Sequence, residues 1–506
     1  MEGVDTDPSV YPGLTPVKQG IQKRRKYLTM GQYICDDFMT THNNSVNNLL
    51  RGVGERVLFT DRNCTQTQIP IFRIFERRCG IYRDRLSQIL GRQSPVSRQG
   101  FVELYQGRRR LIYQRAVDGL ALKPIRASDA HLKTFVKAEK VNWSMKPDPA
   151  PRVIQPRDPR YNVEVGRFLL PLEHKVYDAI DEVFKAPTIM SKYNSVQQAE
   201  IIVKKMQQFT KPVCIGLDAS RFDQHVSCQA LEFEHSFYRS IFPRYKQFHK
   251  LLTWQKHNVG FAYCSDGKFK YKKKGARMSG DMNTSLGNKF LMCLMAKAYI
   301  DSKNIKIDFV NNGDDCLMFL ESRHQSHISD LTSYFRAFGF KIVLEAPVYE
   351  IEHIEFCQCK PLFCNGIWRM VRNVKTCLLK DVTSVQLGHD INAYRIWLRG
   401  IANCGKTFSA DVPVLGAFYR MLYRFSQEGK LSETTISKFD AYHTLSKSCH
   451  IPYESSDADG RYSFWKQTGI HPDAQLELES YFDNSIWGGD KRQVIDNFHT
   501  IIKYGS

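Results

Sequence analysis

The chain lacks any apolar run of about eighteen residues; the nearest candidate, Phe290 to Ile300, contains Lys297 and is too short to cross a bilayer. No membrane-spanning helix is expected, so membrane association is expected only through a partner, through peripheral contact or through a segment outside this chain. A disulfide framework is missing too. The 14 cysteines are scattered, with no Cys-x2-Cys pairing and no secretory signal, and a reducing cytosolic compartment is expected. Internal repeats and low-complexity linkers are absent, which argues against solenoids and strings of separate domains. Acidic residues are the scarce charge. Asp plus Glu number 52 against 72 Lys plus Arg, a net charge of +20 with pI near 9.3, so polyanionic partners are expected and their binding should weaken with salt.

What the chain does contain is a pair of carboxylates in a telling place. Asp314 and Asp315 sit between two apolar runs, Phe309-Val310 and Leu317 to Leu320, and Asn312-Gly313 is a hairpin-turn signal. Adjacent carboxylates repel, and a divalent cation relieves the repulsion; Mg²⁺ takes oxygen ligands from one or two carboxylates and fills its shell with water and phosphate. Taken alone, the same residues would also suit a solvated acidic turn. A second apolar strand, Val213 to Leu217, ends in Asp218, with Asp223 five residues later, ahead of a helical run from Gln229 to Ile241. If the two strands pair, Asp218 and Asp314 can share ions about 3.5 to 4 Å apart, the spacing of two-metal phosphoryl transfer. Asp223 lies past the turn and is read as outside the metal shell.

Between these segments runs a loop of small residues, Lys274 to Asn288, leading into Phe290 to Ile300. In order, Asp218-x4-Asp223, Ser279-Gly280-x3-Thr284-x3-Asn288 and Gly313-Asp314-Asp315 resemble motifs A, B and C of the RNA-dependent RNA polymerases of positive-strand RNA viruses. Lys137-Ala-Glu-Lys140 followed by Pro151-Arg152-Val-Ile-Gln-Pro-Arg157 resembles motif F. Phe340 to Leu344 resembles motif D, and Ile354 to Pro361 resembles motif E. The Glu-Phe-Cys-Gln, Arg-Val-Ile-Gln-Pro-Arg and Ser-Gly-Asp-Met-Asn-Thr wording is most similar to tombusvirus-like replicases. The likeness covers roughly residues 95 to 380, without permutation.

This resemblance implies an α+β right-hand fold of fingers, palm (an antiparallel sheet flanked by helices) and helical thumb, closed by fingertips. The expected divisions are 1–95 (N-terminal extension and fingertips), 96–210 (fingers), 211–256 (palm with motif A), 257–289 (fingers insertion and motif B loop), 290–375 (palm with the motif B helix and motifs C, D and E) and 376–506 (thumb). Implied roles are metal binding and catalysis for Asp218, Asp314 and Asp315, with two Mg²⁺ ions or Mn²⁺ as substitute. Lys341 matches the lysine that protonates pyrophosphate. Asp223, Ser279, Thr284 and Asn288 match the ribose-reading set, with Ser279 equally able to cap the following helix. Lys137, Lys140, Arg152 and Arg157 match the triphosphate grip, with Lys146 a substitute for a basic residue missing beside Arg152. The expected partners are RNA template, nascent RNA, ribonucleoside triphosphates and an accessory viral replication protein, and the expected location is the host cytoplasm at membrane-associated replication complexes.

Other features have a functional and a plain reading side by side. Lys272, Lys273, Lys274 and Arg277 follow Phe269 and Tyr271 in a basic strand that either lines an RNA channel or protects a sheet edge. His353, Cys357, Cys359 and Cys364 have zinc-ligating side chains in a short span, but packed, reduced cysteines are the favoured reading. Trp397, Tyr419, Tyr423, Trp465 and Trp487 are expected in a helical core rather than as base-stacking platforms. A reverse transcriptase would share the carboxylates, but Asp223 and Asn288 favour ribose recognition. A noncatalytic RNA-binding subunit would need none of them.

Overall fold

The computed structural model of the chain describes residues 1–7, 10–30, 39–145, 147–385, 387–429 and 455–487. Lys146 and part of the C-terminal region fall outside them.

Period-two patterning builds the central sheet. Pro212–Ala219 is apolar apart from Asp218, and alternate residues serve two cores: Val213, Ile215 and Leu217 face one side, while Cys214 faces the other with Val310, Leu317 and Phe319. Four antiparallel strands result, in the order Ile307–Asn312, Asp315–Glu321, Pro212–Ala219, Ile342–Leu344. The first core adds helices Ile74–Leu90, Pro159–Phe184, Cys228–Ile241 and Thr284–Asp301, and the second adds Ser195–Gln207. Local signals agree with these helices. Asp158 caps Pro159–Phe184 by accepting from the Arg160 amide at 3.0 Å, with Pro159 in the first turn, where its missing N–H costs nothing.

A second sheet of five strands runs Val17–Lys18, Gly267–Lys274, His257–Cys264, Leu132–Val136, Val153–Ile154, with the third and fourth parallel. Leu132, Val136, Ala262, Phe269 and Tyr271 pack its inner face on helix Val46–Val53. A third core joins the hairpin Cys359–Cys364/Ile367–Arg372 to helices Ile391–Ser409, Leu415–Phe425, Ala458–Thr468 and Pro472–Asn484. Inside it, Arg369 and Asp411 form an ion pair with no exposed side-chain surface. Trp397 and Tyr419 are buried there as expected, whereas Tyr423, Trp465 and Trp487 keep about 40 % of their surface open.

The N-terminal stretch ties these bodies together. Val17–Lys18 pairs with Gly267 and Lys268, Arg25 donates to the Val136 and Lys137 carbonyls, and Leu28–Thr29 pairs with Thr383–Ser384. Among the described residues, no helix is long and apolar enough to cross a membrane. The zinc reading is not supported: His353 meets the Lys466 carbonyl, Cys357 meets Asn312 and Cys364 meets Asp411, three different surroundings.

Candidate active site

The acidic turn is one residue further along than the Asn312-Gly313 signal suggests. Asn312 pairs with Asp315, so Gly313 and Asp314 form the two-residue loop. Gly313 has φ of +86° while Asp314 does not enter the left-handed region, which matches the glycine-first hairpin turn rather than the Asn-Gly type. Buried Asn311 clamps the loop: its side chain donates to the Gly313 carbonyl at 2.8 Å and accepts from the Gly313 amide at 3.0 Å. Asp314 is thereby held at an exposed corner, and its carbonyl accepts from the Ala219 amide at 3.3 Å.

Strand register then sets Asp315 directly opposite Asp218. Facing residues of an antiparallel pair point to the same side, so these two carboxylates share a face and Asp314 sits beside them at the turn. Burial raises the Asp315 pKa, and the charges of Asp314, Asp218 and Glu355 raise it further. Glu345, whose amide donates to the Gly216 carbonyl, is raised by burial and then by Glu355, Asp315 and Asp218. As they stand among the described residues, no three His, Cys, Asp or Glu side chains close around a metal position. The donor chemistry nevertheless suits a hard divalent cation, because the converging groups are carboxylates whose mutual repulsion such an ion relieves.

Asp223 follows the strand on the short helix Phe222–His225 and accepts from Asn288 Nδ2 at 2.7 Å. Burial raises its pKa despite that bond. Behind Asn288 stands a chain of polar groups that sequence reading did not find. Arg277 Nε donates to Asn288 Oδ1 at 3.1 Å, and its Nη atoms bind Glu234, which also accepts from Asn283 at 2.6 Å and Tyr238 at 2.8 Å. Neither side chain of the Arg277–Glu234 pair has exposed surface. Its only sequence signal was a charged residue, Glu234, on the apolar face of an amphipathic helix.

Several expected roles need correction. Arg277 cannot bind RNA, because Glu234 and Asn288 occupy its guanidinium in the interior. Arg157 is also buried, binding Asp281, the Ala130 carbonyl and Asn258, with its guanidinium over the Tyr161 ring; it braces the loop and does not reach a triphosphate. Lys140 turns away toward the Lys380 carbonyl and the face of Trp397, and burial pulls its pKa down to about 8. Lys273 points inward and donates to the Leu58 carbonyl, leaving Lys272 and Lys274 exposed, since strand neighbours alternate. Thr284 donates to the Asp281 carbonyl at 2.8 Å and does not join the Asp223–Asn288 bond. Ser279 is no helix cap. The helix begins at Thr284 after Asn283, and Ser279 offers its carbonyl to the Gln155 amide at 2.7 Å.

Lys137 and Arg152 do come together. The Lys137 amide donates to the Arg152 carbonyl at 2.8 Å, and both side chains reach Glu139, at 3.4 and 3.2 Å. Nearby Arg56, on the segment after helix Val46–Val53, has its pKa lowered to about 10 by burial and by the charges of Arg221 and Arg152. Lys341 is exposed one residue before the last sheet strand, and its carbonyl accepts from the Ser220 amide at 3.0 Å.

On the far side of the turn, Phe356 and Cys359 exchange two backbone bonds, and both residues between them, Cys357 and Gln358, have positive φ (+52° and +62°). Such backbone is costly without glycine and is kept where the surroundings demand it. Here the Cys357 thiol accepts from Asn312 Nδ2 at 3.2 Å and lies against Asp315.

Across residues 15–487 the sequence matches the family described as viral RNA-dependent RNA polymerase. The chain belongs to this family. Among relatives, it is 42 % identical over 451 residues to the RNA-directed RNA polymerase of Turnip crinkle virus, covering 88 % of this chain and 58 % of that one. It is 41 % identical over 484 residues to that of Tobacco necrosis virus (strain A), covering 95 % and 66 %, and 39 % identical over 494 residues to that of Melon necrotic spot virus, covering 96 % and 62 %. The chain thus spans about three fifths of the length of these relatives. Family membership agrees with the reading from motif wording, down to the tombusvirus-like type.

Proposed function

We propose that this chain is the polymerase region of a viral replicase, copying RNA templates from ribonucleoside triphosphates for genome replication and transcription, and able to start without a primer. In this reading the four-stranded sheet is the palm, the five-stranded sheet belongs to the fingers, the C-terminal helical core is the thumb, and the N-terminal stretch supplies the fingertips that close the hand. The observation that carries it is the pairing of Asp218 with Asp315 beside Asp314, next to the Asp223–Asn288 bond.

Phosphoryl transfer asks little covalent chemistry of a protein and much positioning. Asp218 and Asp314, with Asp315 assisting, are the ligands proposed for two Mg²⁺ ions, with Mn²⁺ as substitute, which when bound favour the attacking 3′-oxygen and neutralise charge on the leaving pyrophosphate. Asp315's raised pKa, a consequence of burial, suits the assisting role. Arg152 and Lys137 hold the triphosphate once Glu139 yields to it, Arg bidentately and Lys as a point charge. Asp223 and Asn288 read the ribose 2′-hydroxyl. A site built to bind a hydroxyl disfavours a substrate lacking it, since buried polar groups are left unpaired. Exposed Lys341 is the proton donor to pyrophosphate. Lys272 and Lys274 contact RNA, an accessory replication protein joins the assembly, and the work is done at membrane-associated complexes in the host cytoplasm.

The test is primer-free incorporation on a defined RNA template, comparing the native chain with Asp314→Asn. Native protein should incorporate ribonucleotides, and Asp314→Asn should abolish synthesis while keeping most RNA binding. Exclusive use of deoxyribonucleotides would indicate a reverse transcriptase. Equal activity of the two proteins would remove Asp314 from the centre.

A further inference from the structure

Beyond Lys272 and Lys274, the outer face of the five-stranded sheet has no role in the chemistry above. Along Gly267–Lys274, Phe269 and Tyr271 turn inward while Lys268, Lys270, Lys272 and Lys274 turn out. Aromatic rings stand between lysines on the neighbouring strands. Phe261 is paired in register with Lys133 on one side and Lys270 on the other, and Tyr263 is paired with Lys268. The Phe261 and Tyr263 rings lie nearly parallel, 11° apart in plane with centroids 6.3 Å apart, and Lys270 Nζ is 5.4 Å from the Phe261 centroid. Tyr263 is 54 % exposed and Phe135, outward on the next strand, 42 %.

Lysines alone would be enough to protect a sheet edge from pairing with another chain. Edge protection does not account for the rings, because Phe261, Tyr263 and Phe135 lie on inner strands of the sheet, where open aromatic surface does nothing to block edge pairing. Rings spaced along a strand and flanked by cations are what a single-stranded nucleic acid uses: bases stack on the rings without regard to sequence, and lysines follow the phosphates. Duplex RNA keeps its base faces stacked inside and offers its backbone, 2′-hydroxyls and base edges, none of which can stack on a ring.

We propose that this face is a platform for single-stranded RNA, on a different sheet from the one that carries Asp218 and Asp314. The inference rests on the chain acting on RNA. Its ligand is an unpaired RNA segment bound by stacking on Tyr263 and Phe261, with Lys133, Lys268 and Lys270 along its backbone.

The test is fluorescence anisotropy of a labelled single-stranded RNA and of a duplex of equal length, titrated at several salt concentrations, with ribonucleotide incorporation by the native chain measured in the same preparation. Tyr263→Ala should weaken single-strand binding about tenfold, and Tyr263→Phe, which keeps the ring, should restore it. The double variant Lys268→Gln/Lys270→Gln should lower the slope of log affinity against log salt by about 1.4, about 0.7 for each phosphate no longer neutralised. Duplex binding should be insensitive to Tyr263→Ala. Native affinity and salt slope in both Tyr263→Ala and the lysine variant would overturn the platform, as would equal losses for duplex and single strand. If these variants lost binding to polyglutamate but not to RNA, the face would belong to an acidic protein. A native chain that incorporates nothing would count against the polymerase reading and leave the binding result standing.

Discussion

Glu234→Gln removes one charge from a pair that has no contact with solvent, leaving Arg277 buried beside a neutral amide. Breaking such a pair from one side costs about 3–5 kcal/mol, because the remaining charge has neither water nor a counter-ion. Gln keeps an oxygen to accept from Asn283 and Tyr238, so the loss is concentrated on Arg277. Adding Arg277→Met removes the stranded charge, and the double variant should recover most of the stability measured by urea denaturation. It should not recover selectivity. In both variants Asn288 loses its hold from Arg277 Nε or receives it from a displaced guanidinium, and the Asp223–Asn288 bond loosens. Competing ribo- and deoxyribonucleotide incorporation should show discrimination at least about tenfold lower in each, the worth of one hydrogen bond of roughly 1.4 kcal/mol. The reasoning fails if the double variant is no more stable than Glu234→Gln, or if it discriminates like the native chain.

Arg152→Ala should raise the KM for nucleoside triphosphates and lower kcat/KM about ten- to a hundredfold, the range for a hydrogen bond to a charged group, while RNA affinity measured by anisotropy holds. Gly260→Ala would drive a methyl group into the Tyr271 ring, whose hydroxyl is bonded to Thr134 and Gln155 at 2.6 Å, and should cost about 1–3 kcal/mol in denaturant titrations. Buried His235 has its pKa lowered to about 4, chiefly by burial. The unfolded chain therefore takes up a proton below about pH 6.5 that the folded chain refuses until about pH 4, and stability falls as pH drops through that window, by up to about 3 kcal/mol. His235→Gln should flatten that part of the stability profile relative to the native chain; an unchanged slope would assign it to other groups.

Sequence was enough to locate the strands that carry the acids, because both alternation and turn residues are local signals, and the order of motifs pointed to the family. The hairpin slipped by one residue for a local reason as well: Asn-Gly and Gly-Asp both make good two-residue turns, and only Asn311, folding back on Gly313, selects the second. Basic residues were the harder problem. Arg157 and Arg277 look like phosphate ligands in a string of letters, but each finds a carboxylate far along the chain, Asp281 and Glu234, and a paired guanidinium in the interior is a brace. No periodicity announces such a partner. Lys273 departs from its expected role for a simpler reason, the side of the strand it occupies.

The N-terminal stretch sets a limit on mechanical travel. Arg25 is fastened to the end of strand Leu132–Val136, and Leu28, three residues on, is fastened to Ser384. An extended chain covers at most about 3.6 Å per residue, so while both fastenings hold, the two bodies can separate by only about 11 Å plus the reach of one arginine. If the Arg25 side chain lets go, its amide still donates to Asn43 Oδ1 at 2.8 Å, and behind it the Lys23 amide donates to Ser265 Oγ at 2.9 Å, five residues or about 18 Å of extended chain from Leu28. The leash thus lengthens in steps, and a substitution at Arg25 would loosen its first step without touching any group that meets the substrate.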